Sequence, residues 1–304
     1  MTVSHYPAKT IRIVLPLSPG GSADAIARMV ADTFAGAFGQ AVVVDNRPGA
    51  NGIIGIDLVA KAAPDGYTLL VPSGANLTVN PALHGSNLPF DIERDLVPIA
   101  HVASQTFVAH VSPAFPAKSI SELIAYAKAK PGAVNYASAG TGSTAHLMGA
   151  LFETLAQVRM THVPYKGAAQ GRTAVMSREV DLMFDGLLAS LPLIRAGKLR
   201  ALGITSPKRS AVAPDIPTIA EAGVPGYAAD AWYGLLAPRG TPPAIVAKLS
   251  TTLASSLATP AVREKLLAQG VEAAGGTPEQ FRALMKRETR QWAKVIREAG
   301  IRAE

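Results

Sequence analysis

Apolar runs with β-type composition alternate with helix-period patterns along nearly all of the 304-residue chain. Runs at 11–17, 41–45, 67–72, 107–111, 134–138, 180–184, 199–204 and 233–237 predict strands. Between them, patterns at 22–38, 52–63, 119–130, 143–157, 187–196, 243–257 and 278–299 predict helices. Val42-Val43-Val44 and Thr68-Leu69-Leu70-Val71 are apolar on both faces, as parallel strands covered by helices on each side require. The pattern predicts an α/β protein with central mixed, mostly parallel sheets.

One unit occurs twice. Residues 11–22 read as a strand, a glycine loop and a helix start, followed by the strand at 41–45. Residues 134–143 repeat the plan, with a helix to about 157 and an extended segment at 160–164. At this length two domains are expected, and two related lobes fit the repeat.

The glycine loops are the candidate chemistry. In Pro19-Gly20-Gly21-Ser22 the chain leaves a strand and enters a helix, with Ser22 as the expected N-cap and Asp24 in the first turn. Ser138-Ala139-Gly140-Thr141-Gly142-Ser143-Thr144 offers the same arrangement with added hydroxyl donors. Glycine lets a ligand approach the backbone without meeting a Cβ, and first-turn N–H groups carry partial positive charge, so an anion is the expected guest. Each loop also reads as a tight turn before a capped helix. Helix-terminus attraction supplies only about 0.3–2 kcal/mol per helix, whereas micromolar affinity needs about 8. Direct hydrogen bonds, apolar contact and closure of the lobes would supply the rest.

Composition narrows the alternatives. The formal charge of +7 favours an anionic ligand only weakly. Its densest basic region, Arg282 to Arg297, alternates with Phe281, Leu284, Met285, Trp292, Val295 and Ile296 at helical spacing and reads as a solvated helix face. No basic stripe with stacking aromatics points to nucleic acid. With no cysteine, disulfides, cysteine nucleophiles and cysteine-ligated metals are excluded. The six histidines have no zinc-type spacing, and no metal or cofactor is expected. Gly140 to Ala145 matches a dinucleotide fingerprint, the basis of an alternative reading as a nucleotide-dependent oxidoreductase. Residues 158–164, however, lack the acidic residue that would take the ribose hydroxyls. His146, in the first helical turn, reads as a pocket donor or a capping residue. Asp185, ending the run at 180–184, reads as a group for a ligand's ammonium or hydroxyl, or as a cap for the next helix.

With their surroundings these loops resemble the Bug receptors, the extracytoplasmic solute-binding proteins of tripartite tricarboxylate transporters. The matching segments run nearly end to end. They include Gly39-Gln-Ala-Val-Val-Val-Asp-Asn-Arg-Pro-Gly49, Pro64-Asp-Gly-Tyr-Thr-Leu-Leu70, the whole second loop, His162-Val-Pro-Tyr-Lys-Gly167 and Pro217-Thr-Ile-Ala-Glu-Ala-Gly-Val-Pro-Gly-Tyr227. The resemblance implies a two-domain periplasmic-binding-protein fold of the Venus flytrap type II. Domain 1 would be 1–104 plus 226–304 and domain 2 would be 105–225, with crossings near 104–107 and 224–232 and the ligand in the cleft between them. It implies a binding protein rather than an enzyme. A small mono- or dicarboxylate, apolar, aromatic or amino-acid-like in its body, would be captured and delivered to the transporter's membrane components by a monomeric receptor. A sensor for a signalling partner would share the same pocket.

Matched positions are Pro19, Gly20, Gly21 and Ser22 in the first loop and Ser138, Gly140, Thr141, Gly142 and Ser143 in the second. Asp185 matches as well, Ser18 and His146 are further ligand candidates, and Ser73, Asn76, Tyr165 and Trp232 are the expected pocket wall. Leu17-Ser18 stands where the family usually has an aromatic and a proline, Asn51 replaces a common glycine, and Gly171-Arg172 also departs from the pattern. Met1 to Pro7 lacks the charged and apolar regions of a signal peptide. Family members usually carry one, so a periplasmic mature form is expected.

Overall fold

A computed structural model describes residues 6–20 and 22–301. In chain order the first elements are β1 (Ile11–Leu15), α1 (Ser22–Phe38), β2 (Val42–Asn46), α2 (Ile53–Ala60), β3 (Thr68–Leu70), α3 (Gly74–Thr78), α4 (Asn80–His84), α5 (Ile92–Asp95) and β4 (Leu96–Gln105). Then come β5 (Phe107–Val111), α6 (Ile120–Ala129), β6 (Asn135–Ser138), α7 (Thr144–Ala156), β7 (Thr161–Pro164), α8 (Ala168–Ser177), β8 (Leu182–Gly186), α9 (Leu187–Arg195) and β9 (Arg200–Ile204). The chain ends with β10 (Ala231–Pro238), α10 (Pro243–Leu257), α11 (Pro260–Ala268), β11 (Glu272–Ala273) and α12 (Pro278–Glu298).

The chain divides into two compact units. Unit 1 holds the described residues up to Ser104 with Trp232–Ala293, and unit 2 holds Gln105–Ala231 with the described residues from Lys294 onward. Residues 226–231 and 294–301 thus group with unit 2, where the sequence reading assigns them to domain 1.

Each unit has its own sheet, in the orders β11-β4-β10-β3-β1-β2 and β7-β6-β8-β5-β9. The repeat read from the sequence is visible here as topology. In unit 1, β1 pairs in parallel with β2 on one side and β3 on the other; in unit 2, β6 does the same with β7 and β8. An antiparallel strand follows in both, β10 against β3 and β5 against β8. Antiparallel pairs therefore take a larger share than the apolar runs suggest. A strand covered on both faces is apolar throughout whichever way it runs, so composition does not report direction.

Side chains alternate across β1: Ile11, Ile13 and Leu15 face Ile26, Val30 and Phe34 of α1 and Leu249 and Leu253 of α10, while Val14 faces Ile56, Leu77 and Phe281 on the other side. In unit 2, Ala137 and Met183 pack on Val175 of α8, and Val108 and Ile204 pack on Leu187 and Leu191 of α9. These helices fix the strand ends from which both glycine loops leave.

Candidate functional site

The first loop leaves β1 and reaches α1 through exposed Ser18, Pro19 and Gly20; Gly21 lies outside the described residues. Gly20 has φ +89°, and nothing stands within 4 Å of where its Cβ would be. Its N–H is not free: it donates to the Asp24 carboxylate at 3.2 Å. Asp24, 6% exposed, also accepts from Arg28 Nε at 3.0 Å, Arg28 Nη2 at 3.2 Å and Asn46 Nδ2 at 3.1 Å. The Arg28 hydrogen bond is the main reason its pKa lies below the ordinary carboxylate value. The chain therefore carries its own anion at this helix start, which a first-turn Asp is placed to provide. Ser22 is not the N-cap: it is the first helical residue, and its Oγ donates to Gln269 O at 3.0 Å.

Ser73 and Asn76 form a capping box at α3 and are bound to each other rather than open to a ligand. Asn76 Oδ1 accepts from Ser73 N at 3.0 Å and Ser73 Oγ at 2.7 Å, and its Nδ2 donates to Asn51 O at 2.9 Å. Asn80 closes the network, its Oδ1 accepting from Asn51 Nδ2 at 2.7 Å. Asn51 sits at φ 49°, a left-handed conformation that asparagine tolerates better than most residues, so the departure from glycine keeps the turn and adds side-chain hydrogen bonds. Trp232 is not an exposed wall residue. It is 1% exposed, packs in the core beside Phe281, and donates Nε1–H to Glu288 Oε2 at 2.5 Å. Gly74 lies so close that a Cβ there would stand 2.5 Å from the indole.

The second loop runs from the end of β6 into α7. Ser143 is the N-cap, its Oγ accepting the His146 N–H at 3.4 Å. Gly140 and Gly142 have φ +118° and +76°; a Cβ on Gly140 would meet only Tyr165 O at 3.7 Å, and one on Gly142 would meet nothing within 4 Å. The Gly140 N–H donates to Ser138 Oγ at 3.1 Å, and the Gly142 N–H to His146 Nδ1 at 3.0 Å. That second bond makes Nδ1 an acceptor, so neutral His146 carries its proton on Nε2. At the helix start, Thr144 and Ala145 have first-turn N–H groups with no intrahelical acceptor.

His162, which the spacing of histidines does not single out, belongs to this loop. Its Nε2 is 2.6 Å from buried Ser138 Oγ, and its ring stacks on His146 at 3.8 Å between centroids and 2° between planes. Burial holds His146 below the ordinary histidine pKa, and burial together with neighbouring His146 brings His162 down to about 4. Tyr165 borders the loop with its backbone; its hydroxyl instead donates to Glu179 Oε1 at 2.9 Å.

Asp185 is 3% exposed, and its carboxylate accepts from Arg172 Nε at 2.5 Å, Ser190 Oγ at 2.8 Å and the Gly186 N–H at 2.8 Å. Burial raises its pKa, but nearby His110 and the bond from Arg172 outweigh it and bring the pKa to about 2. His110 Nε2 stands 3.8 Å away, and both His110 ring nitrogens are buried without a hydrogen-bond partner among the described residues. Arg172 thus occupies the group that the sequence reading offers to a ligand's ammonium.

Each loop is therefore a strand-to-helix turn braced by its own side chains. Among the described residues no cluster of three or more metal-ligating side chains occurs. Residues 26–301 match the tripartite tricarboxylate transporter family receptor. BugT of Bordetella pertussis (strain Tohama I) is 40% identical over 303 residues, 99% of this chain and 93% of that protein. The R. palustris protein Rpa4515, solved with adipate, is 37% identical with a TM-score of 0.77, over 98% of this chain and 99% of that one. MatC of Rhodopseudomonas palustris, solved with bound malate, is 33% identical with a TM-score of 0.75, over 96% and 100%. The fold is the two-domain α/β fold of periplasmic binding proteins, and the matching proteins are solute-binding receptors rather than enzymes. By sequence and by fold over most of its length, the chain belongs to the tripartite tricarboxylate transporter family of receptors, the Bug-type solute-binding proteins.

Proposed function

We propose that this receptor binds a small carboxylate lacking an amine, in the periplasm, and delivers it to the membrane components of a tripartite tricarboxylate transporter. Donors from the second glycine loop would take the carboxylate. The observation that carries the reading is the second loop. Gly140 and Gly142 leave space for close approach, over a helix start whose Thr144 and Ala145 N–H groups lack intrahelical acceptors. The hydroxyls of Thr141, Ser143 and Thr144 lie in the same segment. The N–H groups of Gly20, Gly140 and Gly142 are engaged by Asp24, Ser138 and His146, so the grip falls to these remaining amides and hydroxyls. Relatives solved with adipate and with malate support a carboxylate as the ligand class.

The Asp185–Arg172 pair narrows that class. A carboxylate already accepting from a guanidinium, a hydroxyl and a backbone N–H has little capacity left for a ligand ammonium. A ligand cation would also face Arg172. Isothermal calorimetry with adipate, malate and aspartate tests both parts. One-to-one binding of adipate or malate is expected, with aspartate weaker by about tenfold or more. Gly142→Val should abolish carboxylate binding, because a branched side chain fills the approach. Tight aspartate binding, or unaltered binding by a folded Gly142→Val protein, contradicts the assignment.

A further inference from the structure

Unit 1 contains a cavity of about 500 Å3 whose lining shares no residue with either glycine loop. That volume lies within the range of pockets that enclose small molecules. Its floor is apolar: Phe90, Leu96 and Met285 belong to the core cluster, and Leu88 and Ile92 pack against it. The charged side chains in its lining are Arg239, Arg282 and Lys286 with Asp91 and Glu93. The two acids are engaged. Glu93 pairs with Lys286 at 3.2 Å, and Asp91 caps α5 by accepting the Arg94 N–H at 2.9 Å. Arg239 and Arg282 both border the cavity and form no salt bridge among the described residues, Arg282 having only the nearby Glu279 carboxylate in its field. An apolar floor beside two guanidinium groups that are not salt-bridged is complementary to a molecule with a hydrocarbon body and one anionic head. Guanidinium donors match carboxylate and sulfonate oxygens in pairs.

We propose that this cavity is a second binding site, for an amphiphilic monoanion of the alkyl- or arylcarboxylate class. The head lies against Arg239 and Arg282, and the body lies on Phe90, Leu96 and Met285. The site is independent of the glycine loops, so the receptor can carry such a molecule with its principal ligand present or absent.

Octanoate, titrated calorimetrically into the full chain, is the probe, with octanol as the uncharged control. Saturable octanoate binding is expected that weakens by about tenfold in Arg239→Gln/Arg282→Gln, the loss of charge-assisted hydrogen bonds to one head group. Both arginines are exposed, so the double variant should fold. Leu88→Glu, which adds a like charge beside the apolar floor, should weaken octanoate further than octanol. Gly142→Val and a saturating concentration of adipate should leave octanoate binding unchanged. No saturable binding, equal binding of octanol, indifference to the double arginine variant, or displacement by adipate would each overturn the proposal. Displacement in particular would place octanoate at the glycine loops. Failure of adipate to bind would count against the principal site and leave this one standing.

Discussion

Glu288 is 6% exposed on α12, and its carboxylate accepts the Trp232 indole N–H. Burial pushes its pKa up to about 7, with the Trp232 hydrogen bond only partly opposing it. Because the folded pKa exceeds the unfolded one, the folded state binds the extra proton. Its contribution to stability is full below the ordinary carboxylate range and is lost as pH rises through 7. Glu288→Gln keeps an acceptor for the indole and removes the charge. Relative to the parent protein it should gain nothing at pH 4 and about 3 kcal/mol above pH 7, since every tenfold change in proton affinity between the two states is worth about 1.36 kcal/mol. Urea unfolding followed by tryptophan fluorescence measures this directly, because the chain's two tryptophans both interact with Glu288. A difference independent of pH would show that folding leaves the Glu288 pKa unshifted. Other side chains show how far sequence carries at this scale. Trp232 reads as a pocket aromatic beside a domain crossing, but its partner lies 56 positions away, and that distance hides its burial. Arg172 is visible only as a departure, since its contact with Asp185 depends on α8 lying against β8.

At the scale of elements, local chemistry was most of what the structure required. The periods at 22–38 and 243–257 match α1 and α10, and the strand–glycine–helix order locates both loops before any contact is known. What fails is β4: Pro98 and His101 interrupt its apolar run, and its place in the sheet comes from neighbouring strands. The short helices α3 to α5 present too few turns for a period, and α8 mixes small and polar residues. The loops' bracing was equally hidden. His162 reaches Ser138 because β6 and β7 pair in parallel with Tyr136 opposite His162, a register no local pattern encodes. A measurable consequence follows from the stacked pair. Both folded histidine pKa values lie below the ordinary one, so the unfolded chain takes up protons first as pH falls. The pair's contribution is present above about pH 6.5 and lost towards pH 4. Protonating His146 also removes the acceptor of the Gly142 N–H. His162→Phe, which keeps a ring on His146 without a second titration, should flatten the fall in melting temperature between pH 6.5 and 4. Glu288 works in the opposite sense over an overlapping window, so the comparison is variant against parent at each pH. An unchanged slope would contradict the pair's role.

For the whole molecule, duplication is the main fact. Unit 1 follows the strand order β4-β10-β3-β1-β2 and unit 2 the order β9-β5-β8-β6-β7, and each sends a glycine loop from its central parallel strand into a helix. In open α/β sheets, ligands bind beyond the carboxyl ends of such strands, where the order of connections reverses. The two copies are not equivalent in detail. The first braces its loop with a carboxylate, Asp24, and the second with a neutral imidazole, His146. The first helix start thus carries a carboxylate paired with Arg28 and the second a neutral ring; on the proposed function, the second loop would take the greater share of the grip. Amide chemical shifts of the 15N-labelled protein during adipate titration test this most directly. The account predicts the largest downfield proton shifts at Thr144 and Ala145, with smaller changes from Ser18 to Ser22. Shifts confined to other segments, with both glycine loops silent at saturation, would contradict it.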